Sequence, residues 1–357
     1  MSLETTITRA WQRQAAWLWF LLPLSWLYAA ILHVRQWLYK SGIKKSYRAP
    51  IPVLVIGNIT VGGSGKTPLI IRLVHHLQQQ GIEVGVISRG YGGDTSAMPA
   101  LVTPTSSPDT VGDEPCLIVG MTGVPMAVCP NRQQAIETLL TAVPTLQLII
   151  ADDGLQHYAL ARDMEWIVVD SARGFGNRQL LPTGFLREPL SRLKGAVVMQ
   201  HHKPDAPPSP EIGAALSMYL QPDALQPLIA LGDSTATLSP PQASDTVHAV
   251  SGIGYPQRFF DTLSDLGFET VAHPYPDHHP FRLEELLAYD TYPIVVTAKD
   301  AIKIRPLLLA ALETAPANSS VHHLAQRLWV LPVNAVLSAQ SYQTLHQQLS
   351  ALKVLPK

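Results

Sequence analysis

Residues 60–67 read Thr60-Val61-Gly62-Gly63-Ser64-Gly65-Lys66-Thr67, preceded by the apolar run Pro52-Val53-Leu54-Val55-Ile56 and followed by Leu69-Ile70-Ile71-Arg72-Leu73-Val74. A strand-like run, a glycine loop and a helical pattern, in that order, make a phosphate-binding loop. Glycines lack a Cβ, so successive backbone N–H groups can turn toward one anion, and the following helix N-terminus adds partial positive charge. Lys66 has the reach for β- and γ-phosphates, and Thr67 offers a hydroxyl to Mg²⁺. The chain is therefore expected to handle a nucleoside triphosphate. Thr60 stands where the common pattern begins with glycine, but Gly62, Gly63 and Gly65 still supply the permissive backbone positions.

Working outward, short β-rich runs alternate with helical patterns: 82–87, 124–128, 146–150, 165–169 and 195–199. Runs apolar on both faces indicate buried parallel strands, and interleaved helices then give three layers. Two polar stretches, the proline-rich 203–210 and the weakly patterned 233–244, bracket a boundary near residue 225. Beyond it the alternation resumes, with strands expected at 247–250, 292–296 and 328–331, a helix over about 257–266 and a closing helix from about 339. The predicted fold is α/β. A P-loop NTPase-like three-layer α/β/α domain occupies 49–225 and a second, smaller α/β domain with a closing C-terminal helix occupies 226–357. A membrane-associated N-terminal helix with a basic linker precedes them at 1–48.

At 357 residues the chain is long for a single core, which agrees with two domains. Its 26 Lys+Arg against 27 Asp+Glu lack the basic surplus of a phosphate-backbone binder, so no nucleic-acid partner is expected. Cys116 and Cys129 fit a reducing compartment better than a disulfide. Residues 15–32 are almost unbroken apolar sequence, at about 18 residues barely enough to cross a bilayer, with Pro23 in the middle. Trp11, Trp17, Trp19, Trp26, Trp37, Tyr28 and Tyr39 are scattered instead of gathered at two ends, which favours shallow insertion over a true span. Arg35, Lys40, Lys44, Lys45 and Arg48 follow the segment and only Arg9 and Arg13 precede it, so the positive-inside rule puts the bulk of the chain on the cytoplasmic side. The same cluster would attract anionic headgroups.

Several strand ends carry candidate chemistry. The run ending at Ala151 continues as Asp152-Asp153-Gly154-Leu155-Gln156-His157, and acids at the end of a buried strand beside a P-loop lie where Mg²⁺ sits between phosphates. Adjacent strand residues face opposite ways, so one carboxylate reaches the metal directly and the other through water or a neighbour. Ser88-Arg89-Gly90-Tyr91-Gly92-Gly93 offers mobile backbone and a basic residue. Gly112-Asp113-Glu114-Pro115 offers a carboxylate to take a proton from an attacking hydroxyl. In the second domain, Pro274-Tyr275-Pro276-Asp277-His278-His279-Pro280-Phe281 is a stiff, polar, proline-framed loop in which a histidine can tune that base or touch a phosphate.

Together these runs resemble the tetraacyldisaccharide 4'-kinases, the lipid A 4'-kinases. The resemblance rests on residues 57–68, Ser88-Arg89-Gly90-Tyr91-Gly92, Gly112-Asp113-Glu114-Pro115, Asp152-Asp153-Gly154-Leu155-Gln156-His157, Leu181-Pro182-Thr183-Gly184, Leu186-Arg187-Glu188-Pro189-Leu190, Ser251-Gly252-Ile253-Gly254, Pro276-Asp277-His278 and Thr297-Ala298-Lys299-Asp300. It implies a kinase on the cytoplasmic face of the inner membrane, using ATP and Mg²⁺ to phosphorylate the 4'-hydroxyl of tetraacyldisaccharide 1-phosphate and give lipid IVA. No obligate protein partner is expected. It implies that Thr60, Val61, Gly62, Gly63, Ser64, Gly65, Lys66 and Thr67 bind nucleotide, and that Asp113, with His278 across the cleft and Lys66, carries catalysis. Thr67, Asp152, Asp153 and Glu188 would order the metal, and Asn58, Arg89, Tyr91, His157 and Arg187 would line the acceptor region. The rival reading is a membrane-associated P-loop ATPase switch acting on a protein partner. Such switches resemble this loop but carry a signature lysine where this chain has Val61.

Overall fold

The computed structural model describes residues 7, 9–11, 13–204, 206, 209, 212–229, 239–316 and 319–354; parts of both polar stretches, 203–210 and 233–244, lie outside the described residues. Val53 to Ile56 are buried on both faces, as a strand must be when helices cover both sides of its sheet. Strands β1 (Val53–Gly57), β2 (Val84–Ser88), β3 (Ala100–Val102), β4 (Met126–Val128), β5 (Leu148–Asp152), β6 (Met164–Asp170), β7 (Val197–His201) and β8 (Leu216–Pro222) build the first sheet. A second sheet holds β9 (Gln226–Pro227), β10 (Thr246–Ser251), β11 (Glu269–Pro274), β12 (Ile294–Thr297) and β13 (Leu328–Leu331). The next strand, β14 (Val333–Leu337), returns to the first.

The sheet orders are β14-β8-β7-β6-β1-β5-β2-β4-β3 and β11-β10-β12-β13-β9. Only β3, β14 and β9, all at edges, run antiparallel to their neighbours. β1 lies between β5 and β6, and Ile56 pairs with Asp152, so the glycine loop and the Asp152-Asp153 pair leave adjacent strands at the same end. That is the crevice outside the carboxyl ends of parallel strands, where α/β sheets bind ligands.

Alternation along each strand supplies two cores. Leu54 and Ile56 join Leu69, Leu73 and Leu77 of the helix after the glycine loop on one face, while Val53 and Val55 join Ile136 and Leu139 on the other. The helices that matter for the site are α1 (Leu22–Lys40), α2 (Lys66–Gln79), α3 (Asp113–Thr122), α4 (Arg132–Ala142), α5 (Gln257–Asp265), α6 (Ala298–Thr314) and α7 (Ala339–Ala351).

The C-terminal helix does not close the second unit. It packs with the first sheet: Leu345 and Leu349 sit in the core beside Leu69 and Trp166, and Trp166 Nε1 donates to Gln348 Oε1 at 2.9 Å. Strand β14 covers the β8 edge, whose open N–H and C=O groups would otherwise face water. The chain thus leaves the first sheet after Pro222, near the expected boundary, and re-enters it at Val333, inside the span 226–357 that was expected to form one unit.

Pro23 falls in the first turn of α1, where its missing N–H costs nothing, so it does not break the segment. Residues 16–40 are long and apolar enough to cross a membrane by length and composition. The stripe that faces the protein buries Leu32 and carries the polar side chains of Ser25, Tyr28 and Gln36. Ser25 Oγ donates to Leu180 O (3.0 Å), Tyr28 OH to Arg187 O (3.0 Å), and Gln36 Nε2 to Tyr158 OH (2.9 Å). Phe20, Trp26, Leu27, Ile31, Val34 and Trp37 point outward.

Candidate active site

The glycine loop is braced by a second segment, 180–188. Val61 N–H donates to Phe185 O (2.8 Å), Arg187 N–H to Ile59 O (2.7 Å), and Thr60 bridges Leu186. Gly65 ends the loop at φ +94° as the N-cap of α2, and a Cβ there would meet His201 Nδ1 at 2.9 Å, so both conformation and space require glycine. Lys66 and Thr67 therefore open a helix whose first turn presents free N–H groups.

Around Lys66 the side chains interlock. Its Nζ donates to Asn58 Oδ1 at 3.1 Å and lies 3.6 Å from Asp153 Oδ1. Asn58, buried, also donates to Gly62 O at 3.2 Å, which ties the loop backbone to β1. Arg187 grips Asp153 with both ends of its guanidinium, Nη1 to Oδ2 at 2.9 Å and Nη2 to Oδ1 at 2.8 Å, and a further bond reaches Asn58. Burial alone would raise the Asp153 carboxyl, but Lys66 and the Arg187 fork outweigh it and hold it well below the usual range. Asp153 sits at φ +46°, a left-handed turn that swings its carboxylate away from the strand direction and toward Arg187.

Asp152 has the opposite environment. Burial, with Glu114 nearby, pushes its carboxyl up to about 7 in spite of Lys66. Its Oδ1 is buried without a hydrogen-bond partner, and so is Ser64 Oγ in the loop. Asp152 Oδ1, free of partners, and the Thr67 hydroxyl are hard oxygen donors of the kind that fit Mg²⁺, which takes one or two protein ligands and completes its shell with phosphates and water. Glu188 is not brought into this set. Adjacent residues on an extended segment face opposite ways, so Arg187 turns to Asp153 and Glu188 turns to the N-terminal helix. There its oxygens accept from Tyr158 OH (2.7 Å) and Gln36 Nε2 (3.2 Å).

The second unit supplies the other wall. Gly112, at φ +96°, turns the chain so that Asp113 opens α3, and a Cβ at Gly112 would strike Tyr91 O at 2.6 Å. His278 Nδ1–H donates to Asp113 Oδ1 and Oδ2 at 3.1 and 3.0 Å across the two units. Lys299, in the first turn of α6, reaches the same place, its Nζ 3.2 Å from Glu114 Oε1 and 3.3 Å from Asp277 Oδ1. Burial opposes the charge on Asp113, but the His278 hydrogen bond and Lys299 prevail and hold it below the usual carboxylate range. Burial lowers His278, and its bond to Asp113 more than restores it, so it stands above an ordinary histidine. The loop after β10 closes over the glycines: a Cβ at Gly254 would meet Gly63 N at 3.1 Å.

The His278–Asp113 contact makes stability pH-sensitive with a definite sign. A histidine raised above 6.5 on folding stabilises fully below that value, and the contribution fades as pH rises through its folded-state pKa. The depressed Asp113 contributes above its ordinary 3.8 and loses that only as pH falls below it. Wild type should therefore exceed His278→Ala in thermal midpoint most near about pH 6 and progressively less toward about pH 9. A gap that stays constant in melting curves across that range would contradict the ion pair.

The expected acceptor residues divide. Arg187 and Asn58 serve the loop and Asp153, as above. Tyr91, 65% exposed, lies with its ring 5.0 Å from that of His278, and Arg89 is exposed at the end of β2. His157 lines a cleft of ≈ 410 Å³ with Lys45, Tyr47, Asn131 and Gln133. Burial and the arginines at 132 and 162 lower it to about 4. Lys299, Glu114 and Asp277 stand in motifs quoted for the resemblance but received no role from sequence. The available signal was Lys299 itself: in Thr297-Ala298-Lys299-Asp300, a cation stands in the first turn of a helix, where the dipole disfavours it.

Comparison with known proteins identifies the family and the fold. A family model described as tetraacyldisaccharide-1-P 4'-kinase matches residues 17–351. A tetraacyldisaccharide 4'-kinase of Psychrobacter cryohalolentis is 63% identical over 365 residues, covering 99% of this chain and 98% of its own. One from Pseudomonas putida (strain W619) is 44% identical over 307 residues, covering 85% and 89%. The crystal structure of LpxK from Aquifex aeolicus in complex with ATP superposes with a TM-score of 0.66 over 94% of this chain and 99% of that one; at 23% identity this likeness shows the fold.

Proposed function

Because this chain belongs to the tetraacyldisaccharide-1-P 4'-kinase family, we propose that it moves the γ-phosphate of ATP onto the 4'-hydroxyl of tetraacyldisaccharide 1-phosphate, giving lipid IVA. The observation that carries this reading is the Asp113–His278 contact between the two units together with the approach of the loop after β10 to Gly63 of the glycine loop. Phosphoryl transfer passes through a loose transition state and needs positioning and charge stabilisation above all. Residues 60–67 hold the triphosphate, with Lys66 on the β- and γ-phosphates. Asp113 orients the attacking hydroxyl and takes its proton, and His278, charged more readily than an ordinary histidine, keeps Asp113 ionised and aimed. Thr67 and Asp152 would hold Mg²⁺, which neutralises phosphate charge when bound. Asp153 fixes Lys66 and Arg187 in place. Tyr91 and Arg89 lie at the exposed end of the crevice, where the sugar would sit. Phosphorus NMR of the product tests the regiochemistry: a new phosphomonoester on the 4' carbon is expected, and one at any other hydroxyl would overturn the assignment.

We place the enzyme on the cytoplasmic face of the inner membrane, with α1 lying in the interface. Its polar stripe is bonded to the protein, so only the outward apolar stripe is left for lipid. Deleting α1 would also strip its bonds from segment 180–188, so outward substitutions are the cleaner probe. Trp26→Gln, Leu27→Gln and Trp37→Gln together should weaken binding to anionic vesicles about 100-fold, from about 1 kcal/mol for each half-inserted side chain, with ATP binding unchanged. Unaltered vesicle flotation would sink the interfacial placement.

A further inference from the structure

We propose that Lys299 is a positioning residue for the transfer step, an ammonium shared by carboxylates of both units that fixes the Asp113–His278 pair against the glycine loop. The proposal rests on the kinase reading above and assigns a role that reading leaves open. Lys299 Nζ lies 3.2 Å from Glu114 Oε1, 3.3 Å from Asp277 Oδ1, 3.5 Å from His278 Nε2 and 3.8 Å from Asp113 Oδ2, with its side chain 15% exposed. Three carboxylates from two units converge on one cation. Without it they would repel and part, and Asp113 and Glu114 share the first turn of α3.

Helix stability does not account for this lysine, since the first turn of a helix favours acids. The next residue obeys that rule. Asp300 is fully buried, accepts from Gly252 N–H at 3.0 Å, and its own N–H donates to the Thr297 cap at 3.1 Å. Lys299 departs from the rule where the other unit offers carboxylates. The arrangement continues to the nucleotide loop: Asp277, held by Lys299, borders Gly254, whose Cβ position lies 2.9 Å from Asp277 Oδ2 and 3.1 Å from Gly63 N. Lys299 thus stands between the proposed proton acceptor and the segment that meets Gly63.

Asp113 is faced by His278, Lys299 and Lys303 from the second unit, and by Glu114 and Cys116 on its own helix; Tyr91 packs against His278 from the first unit. Lys299 helps to keep Asp113 ionised and opposes protonation of His278, so its removal raises both. In Lys299→Met, kcat should fall about 100-fold, the scale of a misplaced catalytic group, with KM for ATP unchanged. The acid limb of the kcat–pH profile should move to higher pH, and Lys299→Arg should recover most of the rate. An unchanged kcat and an unmoved acid limb in Lys299→Met would overturn the proposal. So would loss of ATP binding in parallel with kcat, with no rescue by arginine, because that is the signature of a merely structural contact. Asp113→Asn in the same assay separates the two readings: a wild-type rate there removes the base itself, whereas an inactive Asp113→Asn beside a normal Lys299→Met refutes Lys299 alone.

Discussion

Lys66→Ala lowers phosphate transfer by about 10³-fold, the cost of removing a preorganised charge donor from a developing phosphate charge, while the protein stays folded. The fold survives because the neighbours of Lys66 do not depend on it alone. Asp153 retains both ends of the Arg187 guanidinium, and Asn58 keeps its bonds to Gly62 O and Arg187. The helix that begins at Lys66 is held by Leu69, Leu73 and Leu77 in the core, and alanine suits a first turn. Single-turnover transfer and a thermal melt on the same preparation check this. Near-normal turnover in the variant would remove the loop from the reaction. A collapse of the melting midpoint would instead make Lys66 structural.

Asp113→Asn lowers kcat by about 10²- to 10⁴-fold, the range for loss of a positioned base, and leaves ATP affinity within error. Asparagine has the same shape and can still accept from the Glu114 N–H, which Asp113 Oδ1 does at 2.9 Å, so the start of α3 is kept. What disappears is the negative charge that His278 and Lys299 surround. A carboxylate held at low pKa is a weak base, but in a loose transition state the attacking oxygen gives up its proton late, and orientation dominates. The loss should therefore appear in kcat, measured at saturating ATP. An unchanged rate would exclude Asp113 as the proton acceptor.

Sequence revealed most where one physical requirement fixes several residues at once. The glycine loop is legible because a cradle for phosphate needs permissive backbone, a cation and a hydroxyl in fixed order. Buried strands such as Val53–Gly57 are legible because both faces are apolar. The return of the chain to the first sheet is not. Val333–Leu337 follows β13 across Pro332 alone, and nothing in its alternation says which of two open edges it will cover. Asp152 and Asp153 were expected to face opposite ways, but sequence does not show the positive φ at Asp153 that sends its carboxylate to Arg187, while Asp152 stays buried among Ser88, Glu114, Lys66 and Arg132. Glu188 was expected among the metal residues from the resemblance, and the alternation along its segment turns it instead toward Tyr158 and Gln36. His278 meets Asp113 between the two units, whereas Lys299 required the meeting of two helix N-termini to be seen.

The central claim is that one crevice, walled by the glycine loop and by the Asp113–His278 pair, passes phosphate to a lipid hydroxyl and not to water. Transfer from γ-labelled ATP to tetraacyldisaccharide 1-phosphate in detergent micelles with Mg²⁺ tests it most directly, with Lys66→Ala and Asp113→Asn as controls. Labelled bisphosphorylated lipid from the wild type, and almost none from either variant, is the predicted result. Label released as inorganic phosphate with none on the lipid would contradict it and favour an ATPase switch that acts on a protein partner.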